Sequence, residues 1–155
     1  MIPNNAGKMI AKWWNELPNK FPSITADASI VMPNHFHGTI FIHDESVGAD
    51  LHVGPGEHND GLEMGEHVGS PLPGMPRPDA TLSQIVQWFK TMTTNEYIRG
   101  VKQTGWSPFP SRLWQRNYYE HIIRNQADYE RIAGYIAANP SNWGKDEENP
   151  YRGMK

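Results

Sequence analysis

Cysteine is absent from the 155 residues, which removes disulfide scaffolds, thiolate metal sites, thiol redox chemistry and cysteine nucleophiles together. Long apolar runs are missing as well. Stretches such as Thr39-Ile40-Phe41-Ile42 are far too short to cross a bilayer, and Met1-Ile2-Pro3-Asn4-Asn5 lacks the basic-then-apolar order of a secretory leader. The expectation is a soluble, cytoplasmic protein with no membrane partner. Lys and Arg are missing from Gly38 to Pro76, a stretch that holds Asp44, Glu45, Asp50, Glu57, Asp60, Glu63 and Glu66. The net charge of -3 and pI near 6.1 argue on average against a nucleic-acid binder. The average hides a reversal, because Thr81 to Trp143 carries Lys90, Arg99, Lys102, Arg112, Arg116, Arg124 and Arg131 against Glu96, Glu120, Asp128 and Glu130. That half is compatible with a phosphate-binding face and equally with an ordinary solvated helix surface.

The length fits one domain, and the reading is a single domain over residues 1–155. Ile10, Trp13, Trp14 and Leu17 repeat at helical spacing, so residues 5–17 read as a helix with Asn5 as cap and Pro18 as stop. Ser23 to Met32 and His35 to His43 read as an antiparallel hairpin around the turn pair Pro33-Asn34. In the second strand Phe36, Gly38, Ile40 and Ile42 take one face, and His35, His37, Thr39, Phe41 and His43 the other. Residues 44–80 are rich in Gly, Pro and acidic residues without period, and read as a long, mobile loop whose His52, His58 and His67 are inert. Deleting most of Asp50 to Pro73 is expected to leave a cooperative thermal melt intact, because closure cost varies slowly with loop length. Unfolding of the shortened chain would make that segment structural. Thr81-Leu82-Ser83-Gln84 has the spacing of a capping box, and Leu82, Ile85, Phe89 and Met92 form the stripe of the helix it opens. Asn117 to Arg124 reads as a last strand, and Asn125 with Asp128 caps a final helix that Pro140 ends.

Two constellations carry chemistry. In His35-Phe36-His37 both imidazoles lie on one side of a strand, about 6.6 Å apart at Cα, which suits one cation; two solvent-facing histidines would read the same way. Tyr135 and Asn139 stand one helical turn apart, and the bland alternative is a boundary tyrosine followed by a helix stop.

Val31-Met32-Pro33-Asn34-His35-Phe36-His37-Gly38 resembles the signature of the HUH-class single-strand transposases, and within them the REP-associated tyrosine transposases. Leu113-Trp114-Gln115-Arg116-Asn117-Tyr118-Tyr119-Glu120-His121-Ile122-Ile123-Arg124 and Tyr135-Ile136-Ala137-Ala138-Asn139-Pro140 are similar to that family's second and third blocks, and Phe89-Lys90 also fits. The likeness runs from about Asn5 to Trp143, interrupted by the acidic loop. It implies an α+β, ferredoxin-like antiparallel sheet with helices on one face and the Tyr135 helix against the metal. It also implies a metal-dependent endonuclease and strand transferase acting on single-stranded, REP-like hairpin DNA through a 5′-phosphotyrosine, as monomer or homodimer. Carried over by position, Tyr135 is the nucleophile, and His35, His37 and Asn139 hold Mg²⁺ or Mn²⁺. Lys90, Arg112, Arg116 and Arg124 are the candidates for phosphate contacts, and Trp88, Trp114 and Tyr118 for base stacking; core aromatics with snorkelling cations would read the same way. The rival readings are a hairpin-binding protein that does not cut, and a phosphohydrolase in which water attacks. Members of the family open with a strand, of which the residues before Asn5 show no trace. The expectation is therefore a sheet lacking its first strand, in a chain that is truncated or has a misplaced start and is less stable than an upstream-extended form.

Overall fold

The computed structural model describes residues 2–43, 80–146, 149, 150 and 152. The expected loop at 44–80, with His52, His58 and His67, falls outside them apart from Ala80. Helix α1 (Asn5–Asn15) starts on Asn4 rather than Asn5, since the Asn4 side chain accepts from the Gly7 N–H at 2.9 Å. It ends earlier than the apolar spacing suggests, and Leu17–Lys20 forms a separate one-turn helix, α2. Pro18 lies in its first turn, where a missing N–H forfeits nothing.

Strands β1 (Ile24–Val31) and β2 (Phe36–Ile42) pair antiparallel, with Val31 opposite Phe36 and Ile30 opposite His37. Met32 N donates to His35 O at 2.9 Å, which leaves Pro33 and Asn34 as the two loop residues. His35 therefore belongs to the turn end and not to β2. The ladder slips between Ala26 and Ser29, and Asp27 lies in this irregularity.

Helix α3 (Leu82–Thr104) opens on the expected capping box of Thr81 and Gln84 and closes on Gly105 at φ 71°, a left-handed conformation that favours glycine. Its buried residues are Ile85, Phe89, Thr93 and Gly100; Thr93 takes the inward place expected of an apolar residue because its hydroxyl donates to Phe89 O at 2.7 Å. Helix α4 (Gln126–Asn142) is capped by Asn125, whose side chain accepts from Asp128 N. It runs through Pro140 instead of ending there, and a 3-10 turn, Trp143–Lys145, follows. Near a helix end the proline forfeits one intrahelical bond, and the neighbouring Ile136 and Asn139 are held by burial.

The fold class is α+β, an antiparallel two-stranded sheet with helices among the described residues, consistent with part of a ferredoxin-like fold. Trp14, Leu17, Ile24, Ile85 and Phe89 form the core, with Phe36, Ile40, Trp88 and Trp114 packed against it. So the Phe36 face of β2 looks onto α1 and α3. The opposite face looks onto α4, through Phe41 against Tyr129 at 5.6 Å and His37 against Tyr135 at 5.5 Å between ring centroids. Glu96 ties α3 to α1 by accepting from Trp13 Nε1 at 2.6 Å and facing Lys12 Nζ at 3.3 Å.

No strand forms over Asn117–Arg124, contrary to its composition. Aromatic and β-branched residues favour extended backbone, but a strand also needs a neighbour to ladder with, and among the described residues this stretch makes no backbone-to-backbone bond. Side-chain tethers hold it instead.

Gly38 sets how closely the histidine strand approaches the core. A Cβ there would lie 2.5 Å from Trp14 Cζ2 and Cη2, and that ring is packed against Phe36 and Phe89. Gly38→Ala is expected to destabilise the fold by about 1–3 kcal/mol, read as a lower midpoint in thermal unfolding. An unchanged midpoint would mean that Trp14 moves freely.

Candidate active site

The hairpin brings the two imidazoles together, with ring centroids 4.8 Å apart and planes at 77°. His35 Nδ1 lies 2.8 Å from Asn34 Oδ1. With the amide oxygen as acceptor the ring proton sits on Nδ1, the tautomer whose Nε2 lone pair is available to a cation. Across the sheet face, α4 supplies Tyr135, edge-on to His37 at 78°, and one turn later Asn139, which is 2% exposed. Tyr135 is 57% exposed, so the residue is accessible to a macromolecular ligand. Trp143 completes the rim with its ring 6.0 Å from His35.

Two buried polar atoms at this site have no hydrogen-bond partner among the described residues, His37 Nε2 and Asn139 Nδ2. Buried polar groups are normally satisfied, and an amide can present either its oxygen or its nitrogen. An orphaned imidazole nitrogen beside a second imidazole fits a divalent cation that keeps much of its water, and Asn139, with its own Nδ2 orphaned one helical turn from Tyr135, is the candidate third ligand. Among the described residues no group of three His, Asp, Glu or Cys is placed to hold a metal. Burial, and then the neighbouring His35, lower the pKa of His37, while Asp146 opposes them. The ring is thereby kept neutral, the form that ligates.

Tyr129, the other tyrosine of α4 near the sheet, is committed elsewhere. Its hydroxyl donates to Asp27 Oδ2, and that bond, followed by burial and the Asp27 charge, raises its pKa. A phenol that must surrender its proton beside a carboxylate is a poor nucleophile.

The residues expected at DNA divide into two groups. Arg112, Arg116 and Arg124 are exposed, Arg124 beside a cavity of about 450 Å³ lined also by Asp27, Phe41 and Tyr129. Trp88 and Trp114 belong to the packing: Trp88 sits 5.5 Å from Trp13 and 5.8 Å from Phe21, and Trp114 donates from Nε1 to Thr93 Oγ1 at 2.8 Å. Tyr118 is 40% exposed, with its hydroxyl 3.2 Å from Ser83 Oγ. Lys90 spends its ammonium on main-chain carbonyls. Sequence reasoning missed Asn34 and Trp143 as site residues. Asn34 had a signal, since it flanks the first histidine in a turn; Trp143 had none, because nothing in its spacing announces a helix that continues past a proline.

An uncharacterized protein of Haemophilus influenzae is 33% identical to this sequence over 147 residues, covering 93% of this chain and 69% of that protein. No family model and no solved structure matches the chain. No helix of the described residues is long and apolar enough to cross a membrane.

Proposed function

We propose that this chain, which belongs to the same family as the Haemophilus influenzae protein, is a REP-associated type of tyrosine transposase. It would be a metal-dependent, cytoplasmic endonuclease and strand transferase for single-stranded hairpin DNA. The observation that carries the reading is the meeting of the histidine pair of the hairpin with Tyr135 of α4. An exposed tyrosine lies against a histidine whose Nε2 is buried and unpartnered, and one turn further along the tyrosine's helix the buried Asn139 has an unpartnered Nδ2. The resemblance of the three sequence blocks supports it independently.

In this mechanism the Tyr135 oxygen attacks the scissile phosphorus. The O–P bond forms as the bond to the 3′-oxygen breaks; the phenol proton goes to solvent, and the 3′-oxygen leaves as a hydroxyl after taking up a proton. The product is a 5′-phosphotyrosine that keeps the energy of the phosphodiester for rejoining. A free tyrosine has a pKa near 10 and is a weak nucleophile at neutral pH. A divalent cation, Mg²⁺ or Mn²⁺, held by His35, His37 and Asn139 would supply charge neutralisation at the phenol and at a non-bridging phosphate oxygen. His37 fixes the edge of the Tyr135 ring, His35 is oriented by Asn34, and burial keeps the His37 ring neutral. Arg112, Arg116 and Arg124 are the candidates for holding the DNA backbone.

The test is incubation of labelled single-stranded hairpin DNA with the protein and Mn²⁺, followed by denaturing electrophoresis. A shifted, protease-sensitive band that EDTA abolishes is expected. Hairpin binding that survives EDTA with no such band would leave a binding module, and cleavage without an adduct would make water the nucleophile.

A further inference from the structure

Lys90 is half-buried on α3 and was expected to meet phosphate, yet its ammonium points back at the protein. Nζ reaches Gln115 O at 2.8 Å, Asn117 O at 3.3 Å and Arg116 O at 3.4 Å. An ammonium has three N–H donors and no more, so these carbonyls use all of them. The same ammonium lies 5.6 Å from the centroid of the Tyr118 ring, a favourable placement for a cation. Two further contacts from α3 flank it: Thr93 accepts from Trp114 Nε1, and Ser83 meets the Tyr118 hydroxyl. Ser83, Lys90 and Thr93 are seven and three residues apart and so share one face of the helix. Residues 114–118 have no regular secondary structure, and this stripe gives them their shape. With three successive carbonyls drawn to one point, the exposed Arg116 is presented from a fixed main chain.

We propose that Lys90 is a positioning residue, a clamp that locks the Trp114–Tyr118 segment onto α3 and so presents Arg116 to the phosphates of single-stranded DNA. Its presentation role rests on the function proposed above; the clamp itself does not. Desolvation lowers the pKa of Lys90, the direction expected for an ammonium drawn against the protein, and the carbonyl dipoles offset the cost of keeping it charged. Pre-organising a contact segment in this way reduces the ordering cost on binding.

The experiment uses the full chain with Lys90→Met, which keeps the stem and removes the donors. Cleavage by trypsin after Arg116 requires the carbonyl that Lys90 holds. It is expected to accelerate about tenfold in the variant relative to cleavage after Arg112, with the thermal transition still cooperative. Tyr118→Leu, which removes the ring and the Ser83 contact at a half-exposed position, should give the same change in smaller degree and serves if Lys90→Met fails to fold. Hairpin affinity should fall about tenfold, and Lys90→Met combined with Arg116→Ala should cost little more than Arg116→Ala alone, because both act through one contact. Unchanged cleavage at Arg116 in folded variants overturns the clamp. Additive losses, with the salt dependence of binding reduced by a further ~0.7 in slope, make Lys90 a direct phosphate contact and overturn the presentation role. A wild-type chain that binds no hairpin overturns the functional reading and the presentation role with it, and the proteolysis result then judges the clamp separately.

Discussion

Tyr135→Phe is expected to abolish the covalent protein–DNA product while leaving hairpin affinity within about twofold of the wild type. The substitution removes one oxygen and nothing else that the structure uses. Tyr135 is 57% exposed and meets His37 through its ring, at 5.5 Å and 78°, an edge contact that phenylalanine makes equally well. The fold should be indifferent, since a half-exposed ring on α4 contributes little to a core centred on Trp14, Leu17 and Ile85. Loss of the adduct is therefore separable from loss of structure, and the loss in rate should exceed about 1,000-fold if the tyrosine oxygen is the attacking atom. An adduct that persists in Tyr135→Phe would move the nucleophile to another tyrosine. Tyr118 and Tyr119 are then the candidates, because Tyr129 is tied to Asp27. Retained cleavage without any adduct would assign the attack to water and leave Tyr135 a structural role.

The parts of this molecule that local chemistry decides were legible in the sequence. The capping box at Thr81, the Asn125 cap, the two-residue turn at Pro33-Asn34 and the alternation that puts Phe36 and His37 on opposite faces are each set by a few neighbouring residues. The packing of Phe36 against Phe89 follows from that alternation, and the tight turn sets His35 beside His37. What depended on distant partners was not legible. Asn117–Arg124 has the composition of a strand, but a strand is a relation between two segments, and among the described residues no backbone pairs with it. Lys90 carries the charge of a phosphate contact, and only the fold shows that three carbonyls from a segment 25–27 residues away claim its donors. The aromatic side chains divide the same way: in the sequence Trp88 and Trp114 read equally as stacking platforms and as core aromatics, and the fold packs both against the core.

His37→Ala and His35→Ala are expected to weaken Mn²⁺ binding at least about 100-fold, measured by titrating the paramagnetic ion in the protein without DNA, and to eliminate cleavage. Few protein groups are available at this site, two imidazoles and one carboxamide, so each carries a large share of the affinity. His37 should be the more damaging loss to the local structure as well, because it packs against both His35 and Tyr135; His37→Gln, which retains a polar group of similar reach, controls for that. The pH dependence has a definite sign. A histidine must be neutral to ligate, and burial together with His35 holds the pKa of His37 below its ordinary 6.5, Asp146 acting the other way. Protons therefore compete for His37 only below that pH, and affinity should decline as the pH falls through the lowered value. The same shift makes the fold less stable in acid, since the unfolded chain takes up a proton on His37 at a higher pH than the folded one does. In the His37→Gln variant that portion of the acid sensitivity should vanish along with the metal affinity. Mn²⁺ titrations that are identical in the wild type and both alanine variants would remove the metal from this site, and the two orphaned polar atoms, His37 Nε2 and Asn139 Nδ2, would then have to be satisfied by water.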